Sequence, residues 1–118
     1  MALLFNGKGN FNDNISSWDV SNVTNMQSIF FGASNFNQSL SDWNVSNVTN
    51  MQGMFDQAHS FNQDISNWNV GKVTNMNSMF YNAASFNQDI GSWDVSNVSN
   101  MLSMFFSTKF DQDIGDWM

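Results

Sequence analysis

Residues 26–50 read MQSIFFGASNFNQSLSDWNVSNVTN, and residues 51–75 read MQGMFDQAHSFNQDISNWNVGKVTN. The two lines are near-copies, and the pattern continues in both directions. Met1, Met26, Met51, Met76 and Met101 each open a copy, 25 residues apart. Apolar residues at fixed places in such a copy are the signature of a solenoid with one coil per repeat. Within residues 51–75 the apolar places are Met51, Met54, Phe55, Ala58, Phe61, Ile65, Trp68, Val70 and Val73. The first four have the i, i+3, i+4, i+7 spacing of a helix face. Thr24–Asn25, Thr49–Asn50, Thr74–Asn75 and Ser99–Asn100 precede that spacing, where side-chain oxygens cap free N–H groups. The same asparagines, stacked copy on copy, are equally suited to bond one another along the array. Ile65, Trp68 and Val70 are spaced like the inward residues of a short parallel strand.

The sequence therefore predicts an α/β repeat solenoid. Its leucine-rich-repeat-like coils of 25 residues each hold a short parallel strand and a short helix. About five coils at strand spacing give a stack roughly 24 Å long. Residues 1–118 form a single domain, with coils starting at the five methionines. The chain starts at the helix place of a coil and stops just after a Trp, with no evident polar cap. It is thus expected to be a fragment or a protomer of a longer rod, stacking head-to-tail.

Composition narrows the function classes. The cations are Lys8, Lys72 and Lys109, all ten acids are Asp, and the net charge is −7. That balance argues against nucleic acid, whose binders need a basic stripe to displace counterions. It argues equally against an anionic membrane surface. No stretch approaches the roughly 20 apolar residues of a membrane span. With no Cys and one His, zinc sites and Cys/His dyads fail on ligand count. Serine is abundant but lacks a base, so the chain is expected not to be an enzyme and to use no cofactor.

The blocks WDVSNVTNM, WNVSNVTNM and WDVSNVSNM, followed by xxMF and FNQDIS, cover the whole chain. They resemble the repeats of BspA-like leucine-rich-repeat surface proteins. Gly71–Lys72 in place of Ser-Asn, and one residue lost before Phe110, are the departures. The resemblance implies surface exposure, with roles in adhesion or in building surface structures. It implies no catalytic residue.

Three sets of residues are candidate sites. Asp64 and Asp89 occupy equivalent places in successive copies and are candidate ligands for Ca²⁺; a solvated acidic stripe is the competing reading. Asn14, Asn22, Asn37, Asn44, Asn47 and Asn97 open N-x-Ser/Thr sequons, of which Asn22, Asn47 and Asn97 share one place in the copy. Phe31, Tyr81 and Phe106 fall where other copies carry Asn6 and Asp56, and form a candidate contact patch. The solitary His59 stands where other copies carry Gly9, Ser34 and Ala84, and reads as a surface residue. The expected function is that of an extracellular, non-enzymatic structural repeat protein, part of a rod or head-to-tail filament on a cell surface. The alternative is an adhesin recognising a host protein or glycan.

Overall fold

The computed structural model describes residues 1–117; Met118, the last residue of the expected domain, lies outside them. Successive 25-residue copies lie against one another in register. The backbone shows it directly: Met26, Ser28, Phe30 and Gly32 donate N–H groups to the carbonyls of Asn50, Gln52, Met54 and Asp56 at 2.8–3.0 Å. The same four places in the next copy repeat the pattern, Met51, Gly53, Phe55 and Gln57 donating to Asn75, Asn77, Met79 and Tyr81.

The expected α/β leucine-rich-repeat-like solenoid is nevertheless incorrect, because its two elements do not form. Among the described residues the only helical segment is a 3₁₀ turn, Gly115–Trp117. The only β pairings among the described residues are isolated parallel bridges between Asn25 and Asn50, Asn50 and Asn75, and Asn75 and Asn100. Each copy is instead a run of tight turns.

The reason lies in where the N–H groups point. An α-helix needs each N–H directed at the carbonyl four residues back. Here alternate N–H groups leave the copy: Leu3, Phe5 and Gly7 donate to Gln27, Ile29 and Phe31. The intervening Leu4, Asn6 and Lys8 close three-residue turns onto Met1, Leu3 and Phe5. Two backbone reversals per copy make this possible. Leu3, Ser28, Gly53, Ser78 and Ser103 have φ between 54° and 65°, as do Gln57, Asn82 and Ser107 near 60° four places on. A left-handed residue other than Gly costs roughly 1–2 kcal/mol, and the bonds to the neighbouring copy offset it. The helix-like spacing marks burial without marking a helix.

The expected strand fails in the same way. Trp68 N–H turns back to Ile65 and Val73 N–H to Val70, each at 3.0–3.1 Å. Side chains fix both turns: Asp64 Oδ1 accepts from Ser66 N–H, and Asn69 Oδ1 from Gly71 N–H. These are the Asx turns that Asp and Asn favour.

The inward residues are those the repeat marks. Met51, Met54, Phe55, Ala58, Phe61, Ile65 and Val73 are fully buried, and Trp68 and Val70 nearly so. Their rings form continuous columns. Phe5, Phe30, Phe55, Phe80 and Phe105 stack with centroids 5.4–5.8 Å apart. Phe11, Phe36, Phe61, Phe86 and Phe110 form a second column at 5.5–6.1 Å. Within a copy the columns touch, as at Phe55–Phe61, 4.1 Å. Each such pair adds about 0.5–1.5 kcal/mol beyond its buried area.

Gly91 shows how closely the copies approach. A Cβ there would collide with the Asp113 carbonyl oxygen and sit 3.3 Å from Asp89 Oδ1. Gly91→Ala is expected to cost about 1–3 kcal/mol, as overpacking against backbone does. Thermal unfolding of the variant checks this; an unchanged midpoint contradicts the close contact.

Candidate functional site

The side faces carry columns of polar residues, each with a defined hydrogen-bond role. The longest was not legible as a site in the sequence. Asn12 Oδ1 accepts the N–H of Asn37, Asn37 that of Asn62, and Asn62 that of Asn87, at 2.9–3.0 Å. Asp111 N–H ends the ladder on Asn87 Oδ1. Gln38, Gln63, Gln88 and Gln112 reinforce it, each donating Nε2 to the same oxygens. The signal was present in the recurrent Phe-Asn-Gln at Phe36, Phe61 and Phe86. Asn37→Ala removes one acceptor shared by two donors at an exposed edge. The expected loss is about 1 kcal/mol, read from denaturant unfolding; no loss contradicts the ladder's structural role.

A second column is inward. Trp43, Trp68, Trp93 and Trp117 donate Nε1–H to the carbonyls of Ile15, Leu40, Ile65 and Ile90 in the preceding copy, at 3.0–3.2 Å. A buried indole N–H requires such a partner. The same geometry dictates Trp rather than Phe at this place.

Asn25, Asn50 and Asn75 combine parts of the two expected roles. Their Oδ1 atoms accept from Gln27, Gln52 and Asn77 N–H two residues on, capping turns rather than helices. Asn75 Nδ2 reaches across copies, to Gln52 Oε1 at 3.2 Å and not to another Asn.

The candidate Ca²⁺ residues are occupied in local turns. Asp64 Oδ1 receives Ser66 N–H and Oγ–H, at 2.9 and 2.6 Å, and Asp89 Oδ1 receives Gly91 N–H at 3.1 Å. The Ser66 hydroxyl and amide hold the Asp64 carboxyl below the usual carboxylate range. Among the described residues no group of three or more His, Cys, Asp or Glu is gathered as metal ligands.

The sequon asparagines separate into two sets. Asn47 Nδ2 donates to the Ser21 carbonyl and Asn97 Nδ2 to that of Gly71, at 2.8 and 2.7 Å. A glycan on that nitrogen replaces one of the two hydrogens from which the bond is made. Asn22 is exposed and occupies the equivalent place in the first copy. Asn14, Asn37 and Asn44 are exposed and engage their neighbours through Oδ1.

Of the expected contact patch, Tyr81 and Phe106 come together, rings stacked at 5.0 Å, with Phe106 59 % exposed. Phe31 lies two copies from Tyr81 and is half-buried. Asp56 holds the equivalent place in the copy between Phe31 and Tyr81. Its Oδ1 is buried without a partner, and burial raises its carboxyl above the usual range despite a bond from Gln57. A raised carboxyl is a burden wherever it is ionised, so the destabilisation is fullest at neutral pH and is relieved as pH falls through its folded value toward 3.8. Asp56→Asn is expected to stabilise the fold by about 1 kcal/mol at neutral pH, with the gain shrinking as the acid range is entered. Melting midpoints of both chains across pH check the sign. His59 is exposed, and His59→Ala is expected to leave that midpoint unchanged.

The two end layers differ from the inner ones. At the C-terminal layer Met101, Ser103, Met104, Phe105, Phe106, Ile114 and Trp117 line an open, largely apolar hollow of about 460 Å³. At the N-terminal layer Leu4, Phe5, Gly7 and Phe11 line another, with Lys8 and Asn10 on its rim. Trp18, in the first of the described copies, is 42 % exposed.

These features define a repeat protein whose copies share one coil-on-coil interface. The chain belongs to the family described as Mycoplasma protein of unknown function, DUF285, whose model matches residues 1–117. Comparison with curated proteins and with solved structures finds no match. No helix among the described residues is long and apolar enough to cross a membrane.

Proposed function

We propose that this chain is a non-enzymatic structural unit of an extracellular rod or filament on a cell surface. The observation that supports this reading is the repetition of one interface. Every phenylalanine column and backbone ladder serves to stack one copy on the next, and the end layers present the same groups. The cell-surface part rests on the likeness of WDVSNVTNM and WNVSNVTNM to BspA-like surface repeats. Negative-stain microscopy of the purified chain tests the structural part: uniform thin filaments are expected, and discrete particles at every concentration contradict it. Labelling of intact source cells with a membrane-impermeant reagent tests location, an unlabelled protein counting against the surface.

A second reading is an adhesin recognising a protein or glycan. The Tyr81–Phe106 pair, with Phe106 exposed and Tyr81 half-buried, favours it, since stacked rings on a side face suit a sugar or an apolar side chain. Retention on a glycan or protein array that is lost in Tyr81→Ala and Phe106→Ala supports this reading over the first.

A further inference from the structure

The two end layers are complementary in chemistry as well as shape. Inside the chain, alternate N–H groups of one copy bond carbonyls of the next. Among the described residues the N–H groups of Ser103, Phe105 and Ser107 have no acceptor, and the carbonyls of Ala2, Leu4 and Asn6 have no donor. Ser28, Phe30 and Gly32 use the same three donor places to reach Gln52, Met54 and Asp56. The free donors and free acceptors are therefore the two halves of a ladder already built inside the molecule.

The side chains repeat the argument. Trp18 Nε1–H has no partner among the described residues, whereas its four equivalents each donate to the carbonyl of the Ile or Leu in the copy before. Ile114 holds that place in the last copy. The phenylalanine columns end at Phe5 and Phe11 on one face, and at Phe105 and Phe110 on the other. Lys8 stands on the first face, and Asp111, Asp113 and Asp116 in the last layer.

We propose that the occupant of each end face is a second copy of this chain, seated head-to-tail in the internal register. In that register Ser103, Phe105 and Ser107 donate to Ala2, Leu4 and Asn6 of the next copy, and Trp18 of that copy donates to Ile114. The proposal rests on the structural reading above and specifies its interface. Donor face cannot meet donor face, so the contact is heterologous and directional, and it does not close at two subunits. The net charge of −7 opposes it, so added salt strengthens association by screening repulsion between copies.

Singly blocked variants test this. Leu4→Glu alters the exposed rim of the first face; Ser103→Lys alters an exposed residue of the last, at the place where Ser28 Oγ abuts the next copy. Ser107→Lys is a second block of the last face should Ser103→Lys unfold. By sedimentation velocity the unaltered chain is expected to form species growing with concentration, and each blocked variant to remain a monomer. An equimolar mixture is expected to form a dimer and nothing larger, because each variant retains one sound face. Trp18→Phe, which removes the indole N–H alone, is expected to weaken association about tenfold. Blocked variants that still assemble overturn this interface while leaving the structural reading standing. An unaltered chain that stays monomeric at high salt overturns both.

Discussion

Trp68→Ala is expected to lower the unfolding free energy by about 3–5 kcal/mol, the range for emptying a large buried aromatic site. Three losses combine. Trp68 is 4 % exposed, its ring stacks on Trp93 at 6.4 Å and packs near Phe55, and its Nε1–H satisfies the Leu40 carbonyl. Truncation leaves both a cavity and an unpaired buried carbonyl. The same substitution at Trp18 removes a half-exposed ring with no Nε1 partner among the described residues, so less than half the cost is expected. Denaturant unfolding of the two variants makes the comparison. Equal costs contradict the placement of Trp18 at the edge and Trp68 at the centre.

Phe55→Ala is the second large effect, again about 3–5 kcal/mol. Phe55 is fully buried and touches four rings: Phe30 and Phe80 in the neighbouring copies, Phe61 and Trp68 in its own. Its loss weakens the junctions on both sides at once. In an array whose stability is a sum of repeat and interface terms, a weakened centre divides the chain into two blocks. The denaturant slope is accordingly expected to fall as well as the midpoint. Phe105→Ala, at the half-buried end of the same column, is expected to cost less and to leave the slope unchanged. A large midpoint shift with unchanged slope for Phe55→Ala contradicts the interruption of the array.

The contrast between burial and element type explains what the sequence revealed. Every apolar place of residues 51–75 is inward, because a 25-residue recurrence of Met, Phe, Trp and Val is only stable when equivalent residues stack. Element type was not legible from the same pattern. The i, i+3, i+4 spacing of Met51, Met54 and Phe55 suits a helix, but it also suits successive three-residue turns that return the chain to the same face. The deciding signals were small: Gly53 at one place, Gly32 and Asn82 at another, residues that tolerate the left-handed region, whereas Ser28 and Ser78 adopt it without such a signal. Gln57 and Leu3 adopt it too, and nothing in their chemistry announces it. Likewise the Asp-x-Ser and Asn-x-Ser pairs announced turns, and once those turns form the carboxylates of Asp19, Asp64 and Asp94 are engaged by Ser21, Ser66 and Ser96. Each is held below 3.8 by its serine, so its share of stability is present above that value and is lost as pH falls below it.

The claim on which everything else depends is that equivalent residues of successive copies face one another. Thr49 and Thr74 occupy one exposed column, Thr74 N–H and Oγ1–H both reaching the Thr49 carbonyl at 2.9 and 3.3 Å. The chain has no cysteine of its own, so introduced pairs are read without interference. Neighbouring in-register positions at about 4.8 Å fall within the span a disulfide bridges, and positions two copies apart do not. Mild oxidation of the Thr49→Cys, Thr74→Cys chain is expected to give a complete intramolecular disulfide. The Thr24→Cys, Thr74→Cys chain is expected to retain both thiols as a monomer. Equal cross-linking of the two, or failure of the first in a folded chain, contradicts the register.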